Sequence, residues 1–113
     1  MHELSLCESI LQVLEQSAVS QGYSRVKTVW LEIGQLSGVE LEAMRFGFAA
    51  VMRGSLADSA KLEIVELPGQ AWCMKCAKTV HVKQRFDKCP DCGSFQLQVT
   101  GGEELRIKEL EVD

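Results

Sequence analysis

Two Cys-x-x-Cys pairs, Cys73/Cys76 and Cys89/Cys92, stand twelve residues apart in the last third of the chain. Four soft thiolates at this spacing are the usual complement of a closed tetrahedral zinc site, each pair lying on a tight turn that points both sulfurs at one ion. A disulfide framework would want an oxidising compartment and a denser cysteine set. An iron–sulfur centre uses the same residue type, and a thioredoxin-like redox pair needs only one Cys-x-x-Cys in a βαβ context. When protein sulfurs fill all four positions, none is left open for a substrate, so the site is expected to shape the fold and no catalytic residue is expected.

The other end of the chain offers different donors. With Met1 retained, its amine, the His2 amide nitrogen and the His2 imidazole can chelate one ion through fused rings, with the Glu3 amide or a carboxylate as a fourth donor. Planar amide and imidazole nitrogens suit Ni(II) or Cu(II), whereas zinc prefers the tetrahedral thiolates downstream. A histidine at position two is otherwise an ordinary exposed terminal residue.

These donors have to be positioned by a chain of 113 residues, 46% hydrophobic and 25% charged, enough for one or two small domains around a modest core. The start, Met1-His2-Glu3, has neither a basic run nor an apolar stretch of signal or membrane length, and a cytoplasmic protein is expected. The fifth cysteine, Cys7, has no sequence partner, which fits a reducing compartment. The net charge of −4 is uneven: Lys75, Lys78, Lys83, Arg85 and Lys88 face only Asp87 and Asp91 between residues 72 and 92. Counting four thiolates and a zinc ion, that stretch is left at roughly +1, too little for a phosphate-backbone binder.

Leu4, Cys7, Leu11, Leu14 and Ala18 recur at helical spacing, predicting an amphipathic helix to about Gln21 that ends at Gly22. Val26 to Gly34 is β-branched and aromatic, a strand with Val29, Leu31 and Ile33 on one face. Ser37-Gly-Val-Glu40 reads as a capping box opening a second helix, lined by Leu41, Met44, Phe48 and Val51 and closed by Gly54. Lys61 to Leu67 is a second strand, stopped at Pro68-Gly69. Short apolar segments flank the cysteine turns, and Leu105 to Val112 is a last strand whose apolar parity switches near Lys108 or Glu109, suggesting a bulge. The expected fold is α+β: a small three-stranded sheet with two helices, formed by residues 1–69 and 101–113, and a zinc-ribbon domain, 70–100, inserted between neighbouring strands of that sheet.

Met1-His2-Glu3-Leu-Ser-Leu-Cys7, Val29-Trp-Leu-Glu-Ile-Gly34 and the two cysteine pairs, the second as Cys89-Pro-x-Cys92, together resemble the HypA/HybF family of nickel-insertion accessory proteins over essentially the whole chain. The resemblance implies a non-enzymatic metallochaperone for [NiFe] hydrogenase maturation. Ni(II), the cargo, would bind through the Met1 amine, the His2 imidazole and backbone amides around His2 and Glu3, and structural Zn(II) through Cys73, Cys76, Cys89 and Cys92. The implied partners are a maturation GTPase and the immature hydrogenase large subunit; some family members also serve urease maturation. A monomer or weak homodimer is expected, with no nucleic acid and no membrane span.

Beside this stands an alternative, a zinc-ribbon module for protein or nucleic-acid interaction in which His2 is incidental. Glu40 is a candidate auxiliary nickel ligand, although the helix cap is its ordinary use. The Glu3 side chain is open to coordination or to favouring the positive end of the first helix. Cys7 is expected in the core. Trp72 is expected over the metal turn or the domain junction, a partner anchor being the alternative. His81, five residues past Cys76, is expected to face solvent because four thiolates already complete a zinc shell.

Overall fold

The computed structural model describes residues 3–113, so Met1 and His2 lie outside the described residues. The elements run α1 (Glu3–Gln21), β1 (Val26–Gly34), α2 (Leu41–Met52), β2 (Lys61–Leu67), β3 (Gly69–Cys73), β4 (Lys78–Val82), β5 (Leu97–Gly101) and β6 (Leu105–Val112). They form two three-stranded sheets, ordered β2-β1-β6 and β4-β3-β5. The chain between β2 and β6 is inserted into the first sheet, but these two strands are not neighbours as expected: β1 lies between them. Val29, Leu31 and Ile33, which share one face of β1, are at most 1% exposed, and Trp30 and Glu32 on its other face are half-buried, as suits a central strand.

The chain divides into two compact units. The first comprises the segment up to Leu31, Val39–Ile64 and Ile107–Asp113. Its core joins Cys7, Ile10 and Leu14 of α1 to Val26, Val29 and Leu31 of β1 and Met44, Phe48 and Met52 of α2. Gly47 permits the two helices to approach: a Cβ there would stand 3.4 Å from Cys7 Sγ and 3.6 Å from the Leu4 Cα. Helix α1 ends as its sequence predicts, Gly22 taking φ +79° and donating its N–H to the Ala18 carbonyl at 2.9 Å.

Helix α2 starts differently from the capping box read in the sequence. Ser37 and Gly38 are used in a turn after β1, in which the Ser37 N–H reaches the Gly34 carbonyl at 3.0 Å. Glu40 is itself the N-cap, its carboxylate accepting the Glu42 and Ala43 N–H groups at 3.2 and 2.8 Å. A glutamate side chain is long enough to fold back onto the first turn, so the helix needs no serine.

The second unit comprises Glu32–Gly38 and Val65–Arg106. Its core is small: Leu36, Ala71, Cys73, Val80, Val82 and Cys89, with Cys76, Leu97 and Val99 packed against them. Three glycines let backbone segments meet there. A Cβ on Gly34 would sit 2.0 Å from the Gly102 carbonyl oxygen, one on Gly69 would sit 2.2 Å from the Val82 oxygen, and one on Gly102 would sit 2.6 Å from the Gly69 Cα. In β6 the half-buried residues are Leu105, Ile107 and Leu110, so burial changes parity across Lys108 and Glu109 where the apolar pattern does.

Candidate metal centre

The second sheet brings the cysteine turns together. β3 pairs antiparallel with β4 and with β5, placing Cys73 opposite Lys78 on one side and Leu97 on the other. Each Cys-x-x-Cys closes as a knuckle. The Ala77 N–H reaches the Cys73 carbonyl at 2.8 Å, and the Gly93 N–H reaches the Cys89 carbonyl at 2.9 Å. Ala77 (φ 53°) and Gly93 (φ 76°) are both left-handed, so the two turns are built alike although only one uses glycine.

The four sulfurs lie within 4.8 Å of one another. Cys73 and Cys92 Sγ are 3.7 Å apart and Cys76 and Cys89 Sγ 3.9 Å apart. Sulfurs at zinc's usual bond length of ~2.3 Å in a tetrahedron are ~3.8 Å from each other, so the spacing fits a zinc ion. Backbone donors back the sulfurs, from Cys76 N–H to Cys73 Sγ at 3.3 Å and from Asp91 N–H to Cys89 Sγ at 3.4 Å. Such donors stabilise thiolate charge. Burial pushes the Cys89 thiol up, but the Cys92 and Asp91 amides and the thiols of Cys92 and Cys73 outweigh it and bring it down to about 7. The Cys76 thiol is pushed up to about 12, foremost by its hydrogen bond to Cys92 and then by burial. Sulfurs this close together cannot all ionise unless a cation holds them.

Lys78 has a role that its place in the sequence does not show. Its ammonium pairs with Asp91, tying the second knuckle to the start of β4, and this bond, ahead of the thiols of Cys76 and Cys89, raises its pKa. Only the fold brings the two residues together, so no local pattern could have announced the pair.

Trp72 does not cover the metal turn. Strand alternation sends it to the face opposite Ala71 and Cys73, where it is 41% exposed. His81 is exposed, paired across the sheet with Gln70.

The nickel donors Met1 and His2 lie outside the described residues. The Glu3 carboxylate accepts the Glu40 N–H at 3.2 Å, so it serves the start of α2 as well as standing in the first turn of α1. The candidate auxiliary Glu40 has its carboxylate turned to the α2 amides.

Cys7 is fully buried, with Sγ 3.6 Å from the Met44 carbonyl. Burial, then the charge of Glu3, pushes its thiol from 9.0 up to about 11. The folded protein holds this proton more tightly than the unfolded chain does. The corresponding stability is therefore complete below pH 9 and is lost as pH rises through 11, a fall of about 2–3 kcal/mol. Urea unfolding of the zinc-loaded protein at pH 8 and 11 should show this fall, and Cys7→Ala should remove most of it.

A family model described as hydrogenase/urease nickel incorporation metallochaperone, hypA, matches residues 1–112. The chain belongs to this family. It is 66% identical to the hydrogenase maturation factor HypA of Alkalilimnicola ehrlichii and 61% identical to that of Rhodopseudomonas palustris strain BisA53, over 100% of each chain. Among solved structures it resembles the nickel metallochaperone HypA of Helicobacter pylori, with a TM-score of 0.71 and 25% identity, covering 99% of this chain and 97% of the other. The α+β fold is thus the family's fold, and the chain is a maturation factor rather than an enzyme. No described helix is long and apolar enough to cross a membrane.

Proposed function

We propose that the chain binds Ni(II) at its N-terminus, through the Met1 amine, the His2 imidazole and backbone nitrogens of His2 and Glu3, and delivers it during [NiFe] hydrogenase maturation. The observation that carries this reading is membership, over residues 1–112, of a nickel-incorporation family by a chain that starts Met1-His2-Glu3. Cys73, Cys76, Cys89 and Cys92 hold structural Zn(II) in the ribbon domain, residues 70–100, while residues 1–69 and 101–113 form the nickel-binding domain.

The two sites suit these roles chemically. A chelate of few nitrogen donors at a chain end can pass its ion on by stepwise ligand exchange. A four-thiolate site whose binding energy is also folding energy cannot release its ion without unfolding. By the family resemblance its partners are a maturation GTPase and the immature hydrogenase large subunit, in the cytoplasm, with the chain acting as a monomer or weak homodimer.

Extending the N-terminus by Gly-Ser tests this reading, because the chelating amine is then lost while His2 remains. Nickel titration followed by absorption of the planar nitrogen complex should lose its saturable signal, with zinc retained. Undiminished nickel affinity in the extended protein would sink the assignment.

A further inference from the structure

The loop between β4 and the second knuckle, residues 83–88, is fixed in place. Arg85 donates from Nε to the Leu36 carbonyl at 3.0 Å and pairs with Glu103. The Gln84 N–H reaches the Asp87 carboxylate at 3.2 Å. The loop holds Phe86 at φ 67°, a left-handed conformation that bulky L residues seldom adopt, and leaves the residue 92% exposed. Phe95 is 73% exposed. The two rings border a cleft of about 140 Å³ whose floor includes Ala71, Val82, Leu97 and Val99. A phenylalanine this exposed buries little apolar surface within the chain and is free to bury more against a partner.

Charge and topology narrow the occupant. Lys83 and Lys88 bracket the loop, both exposed and neither in an ion pair among the described residues. β5 is an edge strand with β3 as its neighbour, and Leu97–Gly101 has no charged residue and no proline. The opposite edge, β4, carries Lys78. Sheets usually guard an edge with charge when nothing pairs with it.

We propose that this face docks an extended, acidic segment of a protein partner, which runs along β5 and inserts an apolar side chain between Phe86 and Phe95. Single-stranded nucleic acid also uses aromatic and basic residues. The aliphatic floor favours the peptide, whose apolar side chain it can bury. The proposal is independent of where nickel binds.

The test is titration of the zinc-loaded, ¹⁵N-labelled full chain with the peptide acetyl-Glu-Asp-Leu-Glu-Phe-Glu-Asp-amide. Saturable amide shifts are expected at residues 84–87, Phe95 and β5. Affinity should fall roughly tenfold or more in a Phe86→Ser/Phe95→Ser variant, and similarly for a peptide with lysine at every acidic position. Both phenylalanines are exposed, so the variant should keep its zinc and its remaining resonances. Absence of saturation, shifts confined to other surfaces, full affinity in the double variant, or tighter binding of an oligothymidylate than of the peptide would each overturn the proposal.

Discussion

Replacing Cys89 with Ser should unfold the second unit, not merely loosen it. Two of the six residues in that unit's buried core are cysteines of the metal cluster, and the others are Leu36, Ala71, Val80 and Val82. Burying an aliphatic side chain returns about 1.5–3 kcal/mol. Ordering each backbone residue costs about 1–2 kcal/mol. So small a core cannot offset the ordering of β3, β4, β5 and both knuckles. A structural zinc ion contributes about 10–16 kcal/mol in zinc-finger peptides, more than enough to close such a gap. Serine removes a thiolate that is 1% exposed and backed by the Asp91 N–H, leaving a hydroxyl that binds zinc poorly at neutral pH. Zinc content should fall to background and the amide resonances of β3, β4 and β5 should collapse to unfolded positions. Dispersed resonances in the variant, or in the native chain after chelation, would show that the ribbon folds on its core alone.

Gly34→Ala should be the most damaging single methyl in the chain. Its Cβ would stand 2.0 Å from the Gly102 carbonyl oxygen, which also accepts the Leu36 N–H at 2.6 Å. The atoms that Cβ would meet, the Gly102 carbonyl and the Glu103 N, are all backbone, so no rotamer change relieves the clash. Overpacking of this kind costs about 3 kcal/mol or more. That is roughly 10 °C or more in Tm for a chain of this size. Gly22→Ala is the control: Gly22 takes φ +79° with nothing within 4 Å of an added Cβ, so only the left-handed backbone is penalised, by about 1–2 kcal/mol. Equal melting temperatures for the two variants would refute the close-approach argument.

The glycines also show where sequence reading stopped. In the sequence Gly34 ends a strand and Gly69 follows a proline, each a local punctuation mark. That Gly34, Gly69 and Gly102 converge is a property of chain path, which spacing does not encode. Periodicity did reveal α1, β1 and α2, because each has a face that must be buried. The cysteines were legible because metal geometry imposes its spacing on sequence. Trp72 neighbours the first cysteine in sequence yet does not cover the metal turn, because alternation along β3 sends the two side chains to opposite faces. The capping of α2 was misread because Ser-x-x-Glu is satisfied equally well on paper by a helix starting three residues earlier.

The division of labour between a terminal nickel chelate and a distant zinc tetrad is tested most directly by metal analysis. The native chain and a His2→Ala variant would each be incubated with nickel and zinc together, desalted and analysed for both metals. The native chain should retain both, and the variant should keep its zinc undiminished while nickel falls to background. Nickel retained by the variant, or zinc lost alongside nickel, would contradict it.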